Sequence, residues 1–275
     1  VTPLVLKFGG ELLEGQSGLA VIASAVSRIA SDGASIAIVH GGGREIDAEL
    51  AKAGIAKRQI EGLRVTDEAT LEIVVGVLAG TINTRLVAAL SGAGVKAVGL
   101  TGADGFCGLS EVAPPHRTVD GRRVDLGEVG VPVSPGDPGL LRTLLADRFV
   151  PIIASIGATR QGRLLNINAD TMAGHVAATL RARRLVIAGS TPGVVGDDGT
   201  TVPLLDPSAI GRLLASGTAT AGMVAKLRAC EHALAAGVED VVIVDGRDSE
   251  ALWKSASGAV PATATRIVTT AGSRQ

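Results

Sequence analysis

Aromatic side chains are nearly missing from this 275-residue chain, which has three Phe, one Trp and no Tyr. So few rings argue against a stacking platform for single-stranded nucleic acid or a flat aromatic cofactor, and they leave core packing to Ala, Val, Leu and Ile. Cysteine is just as scarce. Cys107 and Cys230 stand far apart with no CxxC spacing, which disfavours a disulfide framework or a zinc site and suits a reducing compartment. The 26 basic and 27 acidic residues give a net charge of −1, so no bulk field draws the chain to nucleic acid or membrane phosphate. No basic stretch precedes an apolar core at the N-terminus, and no uninterrupted apolar run approaches the roughly 20 residues of a membrane span. These absences predict a cytoplasmic protein with a small partner, no nucleic acid and no membrane. Hydrophobic residues make up 46% of the chain, ample for a sizeable core.

Short β-branched runs alternate with longer Ala/Leu-rich segments. The runs are "PLVLKF" (3–8), "SIAIVH" (35–40), "VKAVGL" (95–100), "FVPIIAS" (149–155), "RLVIAG" (184–189), "VEDVVIVD" (238–245) and "TRIVT" (265–269). Their apolar residues are successive rather than alternating, the signature of strands covered on both faces. Helical periodicity marks 17–32, 43–54, 68–91, 137–147, 169–182 and 222–237. Together they predict an α/β fold, a three-layer αβα sandwich around a mostly parallel open sheet. A Gly-, Pro- and charge-rich excursion fills 102–135, with a hairpin expected at Asp120-Gly121, and a second polar insertion fills 190–201.

Two glycine junctions follow strands early in the chain, "KFGG" (7–10) and "HGGG" (40–43). Backbone N–H groups at such a turn, with a helix N-terminus behind them, can cradle an anion. A plain tight turn accounts for one such pair; two within 45 residues favour a ligand that must approach the backbone closely. Lysine is avoided in general, six against 20 Arg, yet Lys7 sits inside an apolar strand beside glycines, where an ammonium suits a phosphoryl oxygen. Lys226 in "AGMVAKLRA" would by itself most often be a solvated helix lysine. In "NINAD" (166–170), Asn168 is best read as a helix cap, whereas the Asp170 carboxylate would hold two lysines if placed between them. "GLRVTD" (62–67) puts Arg64 just before a helix capped by Thr66 or Asp67. The four His show no metal-ligand spacing, and no metal site is expected.

Familiar alternatives fail on their context. No Gly-Lys dipeptide exists for a Walker A loop, and no HRD or DFG set for a protein kinase. The one G-x-G-x-x-A match, Gly92 to Ala97, closes a helix instead of opening one. "HGGG" occurs in esterase oxyanion loops, but the G-x-S-x-G elbow that should accompany it is absent.

As an ordered set, "KFGG", "VHGGG", "GLRVTD", "DLGEVG" (125–130), "NINAD" and "GMVAK" (222–226) resemble the acetylglutamate kinases of the amino-acid kinase superfamily, through nearly the entire chain. The resemblance implies ATP-dependent phosphorylation of the side-chain carboxylate of N-acetyl-L-glutamate in arginine biosynthesis, with Mg²⁺ accompanying ATP. It implies that Lys7 and Lys226 bind phosphoryl oxygens and that Asp170 organises them. Gly42 and Gly43 would contact the acceptor, Arg64 and Asn166 its α-carboxylate, and Gly9, Gly10, Ser190, Gly193, Gly222 and Met223 the phosphates and nucleotide. Ser190 stands where the family usually has Asp. An N-terminal lobe (1–178) would bind the acylated amino acid and carry the dimer interface, and a C-terminal lobe (179–275) the nucleotide. With no helix before the first strand, the expected type is an arginine-insensitive homodimer. The rival expectations are a kinase for a carrier-protein-linked aminoadipate or glutamate, for which "RARR" (181–184) would be a basic patch, and a non-catalytic amino-acid-binding regulator.

Overall fold

The computed structural model describes residues 2–118, 120–134, 136–196, 198–216 and 221–269. In chain order its principal elements are β1 (Leu4–Phe8), α1 (Gly15–Ser31), β2 (Ile36–His40), α2 (Gly43–Lys52), α3 (Glu68–Gly92), β3 (Ala97–Thr101), α4 (Gly139–Ala146), β4 (Val150–Ala154), α5 (Ala169–Leu180), β5 (Arg184–Gly189), β6 (Leu204–Leu205), α6 (Pro207–Ser216), α7 (Ala221–Ala235), β7 (Asp240–Asp245), α8 (Ser249–Ser257) and β8 (Thr265–Ile267). The strands form one sheet in the order β6-β8-β7-β5-β1-β2-β4-β3. Every pairing is parallel except β7 with β8. The predicted three layers and mostly parallel sheet are what the chain builds.

The uninterrupted apolar runs have the burial their sequence implied. Every residue of β1, β2 and β4 is buried, while the edge strand β3 is partly open. Side chains alternate between two clusters. Leu4, Leu6 and Phe8 pack with Val26 of α1, Leu78 and Leu86 of α3 and Leu252 of α8, whereas Val5, Val39 and Ile187 pack with Met172 and Val176 of α5 and Leu227 and Cys230 of α7. This period of two decides the site, because it turns Lys7 to the same side as Val5, toward α5 and α7. It also turns His40, in step with Ile36 and Ile38, toward α3.

Several helix ends obey their local chemistry. Asp67 caps α3 by accepting from the Thr70 N–H at 2.9 Å, and Asn168 caps α5 by accepting from the N–H groups of Asp170 and Thr171. α3 is not uniform, since Gly76–Ile82 winds as a π-helical segment between two α-helical stretches. By length and composition α3 could cross a membrane, contrary to the expectation from uninterrupted apolar runs, because a helical window tolerates scattered polar residues. Here one side of it, including Val74, Leu86 and Leu90, packs into the core.

The 102–135 excursion consists of paired ribbons, Ser110–Val112 with Gly130–Pro132 and His116–Arg117 with Arg123–Val124. The expected turn is present at Gly121, whose φ is 85° and whose N–H donates to the Thr118 carbonyl at 2.9 Å. Residues 119, 135 and 197 of the two polar insertions lie outside the described residues. Periodicity missed a third ribbon, Ile156–Ala158 with Leu164–Asn166, together with α6 and α8.

Candidate active site

Lys7, Asp170 and Lys226 come from β1, α5 and α7, and the fold brings them together. The Lys7 Nζ lies 2.9 Å from Asp170 Oδ1, and the Lys226 Nζ lies 3.4 Å from each carboxylate oxygen. Lys226 is therefore no solvated helix lysine; its side chain is 15% exposed and that of Asp170 11%. Burial alone would push the Asp170 carboxyl up, but the adjacent Lys7 and then Lys226 outweigh it and bring it down to about 2. Lys226 is shifted below an ordinary lysine, first by burial and then by the charge of Lys7, with Asp170 opposing. The cluster carries two cations for one anion, and a bare excess positive charge in a dry site attracts an anionic ligand.

Lys7 occupies a central strand, so the alternative of an outward-pointing edge lysine fails. Its strand leads into Gly9 and Gly10, and β2 leads into Gly41, Gly42 and Gly43. The two loops touch. A Cβ on Gly10 would lie 2.6 Å from Gly42 Cα and 3.0 Å from the amide nitrogens of Gly42 and Gly43. A Cβ on Gly42 would lie 2.1 Å from Ile82 Cδ1, so neither position admits a side chain. Among the described residues, the Gly42 and Gly43 amides donate to no group of the chain, and α2 begins behind them. Free amides at a helix N-terminus are donors to an anion.

Arg64 is fixed by α2. Its Nη2 donates to Asp47 Oδ1 and, at 3.2 Å, to the Gly43 carbonyl, and Lys57 holds the other Asp47 oxygen at 2.6 Å. Burial works to raise the Asp47 carboxyl, but its bonds to Lys57 and Arg64 lower it overall. The Arg64 Nη1 is buried without a partner, an orphaned donor suited to a ligand carboxylate. Asn166 donates its amide to Thr66 Oγ1 at 3.0 Å. Three motifs prove to be one weave, as Thr66 N–H donates to the Leu126 carbonyl, Glu128 N–H to the Thr66 carbonyl and Asn166 N–H to the Glu128 carbonyl. Gly127 has φ 73°, and a Cβ there would lie 2.2 Å from the Thr66 oxygen. Sequence reading missed Asp47 and saw in Thr66 only a candidate helix cap, whereas they steady Arg64 and Asn166 from 17 and 100 residues away. Nothing local signals such distant partners.

Ser190 follows directly on β5, the neighbour of β1, and shares the strand C-terminal edge with Lys7. A Cβ on Gly193 would lie 2.5 Å from Thr265 Oγ1, so packing against β8 already accounts for that glycine. Gly222 and Met223 open α7, in the turn before Lys226. A cavity of about 860 Å³ is lined by Asn168 and Thr171 of α5, Val224, Ala225 and Arg228 of α7 and Leu63, while Lys7, Asp170, Lys226, Arg64 and the glycine loops are not among its lining residues. The "RARR" patch is largely dismantled. Arg184 is buried against Asp240, and Arg183 donates to the Ala256 carbonyl at 2.7 Å.

The amino acid kinase family model matches residues 2–245. The acetylglutamate kinase of Methylobacterium nodulans is 39% identical over 249 residues, covering 89% of this chain and 81% of that protein. That of Sphingopyxis alaskensis is 40% identical over 253 residues, covering 90% and 83%. Among solved structures, N-acetylglutamate synthase from Neisseria gonorrhoeae, complexed with coenzyme A and N-acetyl-glutamate, superposes with a TM-score of 0.82 at 27% identity; the match covers 98% of this chain but 60% of that one. Giardia lamblia carbamate kinase bound to AMP-PNP shares the fold, with a TM-score of 0.68 at 16% identity over 98% of this chain and 99% of that one.

Proposed function

Because the chain belongs to the amino acid kinase family, we propose that it is an acetylglutamate kinase. The reaction moves the γ-phosphoryl group of ATP to the side-chain carboxylate of N-acetyl-L-glutamate, yielding N-acetyl-L-glutamyl 5-phosphate and ADP in arginine biosynthesis. The observation that carries this reading is the Lys7–Asp170–Lys226 cluster at the end of β1, beside two touching glycine loops with free amides. A carboxylate oxygen attacks Pγ while the bond to the β–γ bridging oxygen breaks. The acceptor is already anionic, so no protein nucleophile or general base is needed, and catalysis reduces to alignment and charge neutralisation.

In this reading Lys7 and Lys226 neutralise the phosphoryl oxygens, Asp170 keeps the lysines in place, and Gly10, Gly42 and Gly43 offer amides to the phosphoryl group and acceptor. Arg64, through its unpartnered Nη1, and Asn166 take the α-carboxylate. Gly9, Ser190, Gly193, Gly222 and Met223 belong to the nucleotide side, so residues 1–178 hold the amino acid and 179–275 the nucleotide. Among the described residues no three acidic, His or Cys side chains converge on one point. In this scheme Mg²⁺ enters with ATP, held mainly by phosphate and water. The reading also includes a cytoplasmic location and a homodimer formed through residues 1–178, which light scattering would register at twice the 27.5 kDa chain mass.

Incubation with ATP, Mg²⁺ and N-acetylglutamate in the presence of hydroxylamine tests the proposal by trapping the acyl phosphate as a hydroxamate. No hydroxamate from the free acid would sink it, and hydroxamate only from a carrier-linked substrate would favour the rival kinase. The non-catalytic alternative has no use for two buried lysines on one carboxylate.

A further inference from the structure

His40 ends β2, fully buried and outside the reaction as described above, yet both its ring nitrogens are engaged. Its Nδ1 lies 3.1 Å from the Gly41 carbonyl oxygen, and its Nε2 lies 3.1 Å from Asn83 Nδ2. A carbonyl only accepts, so Nδ1 carries the proton; Nε2 is then the acceptor of the Asn83 amide. Burial depresses this imidazole to about 4, so one neutral tautomer persists across ordinary pH.

Asn83 is itself clamped. Its amide nitrogen also reaches the Ile152 carbonyl of β4 at 2.9 Å and the Leu100 carbonyl of β3 at 3.3 Å. Its oxygen fills the place where a Cβ on Gly99 would stand, 2.1 Å away. Asn83 is the first residue after the π-helical segment, and that segment also sets Leu78 and Ile82 under Gly42. An extra residue per turn in a helix is costly and gathers at functional places. Here it lets adjacent turns of α3 support the glycine loop, apolar side chains beneath Gly42 and a polar one beneath His40.

Peptide planarity transmits the clamp. The Gly41 carbonyl and the Gly42 N–H belong to one trans plane and point in opposite directions. Pinning that carbonyl to His40 on the α3 side turns the Gly42 N–H the opposite way, and the Gly42 and Gly43 nitrogens are the atoms a Cβ on Gly10 would meet at 3.0 Å. We propose that His40 and Asn83 are positioning residues, a hydrogen-bonded strut between the π-helical segment of α3 and the glycine loop that fixes the direction of the Gly42 amide for phosphoryl transfer. This rests on the kinase reading above.

The test compares wild type, His40→Leu, His40→Asn and Asn83→Ser by steady-state turnover of ATP and N-acetylglutamate, alongside thermal unfolding. His40→Leu removes both bonds and lowers kcat at least tenfold, with KM for ATP within threefold of wild type. His40→Asn recovers only part of that kcat, because its amide sits near the Nδ1 position and can still donate to the Gly41 carbonyl but is too short to reach Asn83. Asn83→Ser, which likewise keeps the Gly41 bond and loses the anchor, shows a similar partial kcat loss of at least threefold, and should His40→Leu not fold, Asn83→Ser decides. Folded variants with wild-type kcat overturn the strut, as does a kcat loss no larger than the loss of folded protein. A wild type that makes no hydroxamate defeats the kinase reading itself, which is a separate outcome.

Discussion

Two clusters in this molecule pair one buried aspartate with two cations, at opposite ends of β5 and its neighbours. At the strand C-terminal ends Asp170 takes Lys7 and Lys226; at the N-terminal ends Asp240 takes Arg184 through both oxygens at 2.7 and 2.6 Å, and Arg266 at 2.8 Å. The second cluster is saturated. Arg184 Nη1 also donates to the Ser255 carbonyl at 2.7 Å, which ties α8 to β5 and β7. The first is open, with longer contacts from Lys226 and compact ammonium groups that have donors to spare. The same charges thus serve two purposes. Planar guanidinium groups, that of Arg184 bidentate, use their geometry to close a network, and lysines leave theirs for a ligand.

Asp240→Ala should break the comparison most severely. It strands the Arg184 guanidinium, only 7% exposed, and should cost about 3–5 kcal/mol of unfolding free energy in urea, while the folded enzyme keeps its kcat. A kcat loss without a stability loss would erase the distinction. Lys226→Ala, and equally Lys7→Ala, should do the reverse. Loss of a transition-state charge contact predicts a kcat lower by roughly 10²–10³, with the circular dichroism spectrum unchanged. Unchanged turnover in both variants would remove the lysines from the mechanism.

Arg64→Ala should be milder and confined to the acceptor. One charge-assisted contact is worth about 1.5–3 kcal/mol, hence roughly a ten- to hundredfold rise in KM for N-acetylglutamate. An effect on ATP alone would refute its assignment. The smallest effect is on pH. Because Lys226 is shifted down, its charge is lost earlier on the alkaline side, and kcat/KM should begin to fall below the ordinary lysine value of 10.5. Lys226→Arg should remove that limb even if activity is low. Asp170 acts at the acid end. Its depressed carboxyl contributes stability in full above the ordinary 3.8, and that contribution disappears as pH falls toward about 2.

The open cluster was more legible in the sequence than the closed one. Lys7 could be read because a charge interrupts an apolar run just before glycines, and Asp170 because it follows a recognisable cap. Lys226 on its own could not, since nothing in "AGMVAKLRA" indicates which side of α7 is covered. The Arg184–Asp240 pair was invisible because each residue only begins an ordinary apolar run. It takes the register, in which Arg184 lies opposite Asp240, to join them. The ribbon over 156–166 escaped because three-residue strands carry no measurable period. The π-helical segment escaped because its composition is that of any apolar helix. Its role lies in Gly42 and His40, more than 30 residues upstream.

The central position of β1 has a consequence for synthesis. Once β1 has left the ribosome β2 can pair with it soon after, but its other neighbour begins at Arg184, opposite Leu4. At about 5–20 residues per second that second edge of "LVLKF" waits unpaired on the order of ten to forty seconds. An exposed apolar strand invites pairing with another nascent chain, and a charge within it discourages such contacts. Lys7 is that charge, guarding the unfinished strand long before Lys226 exists to share Asp170.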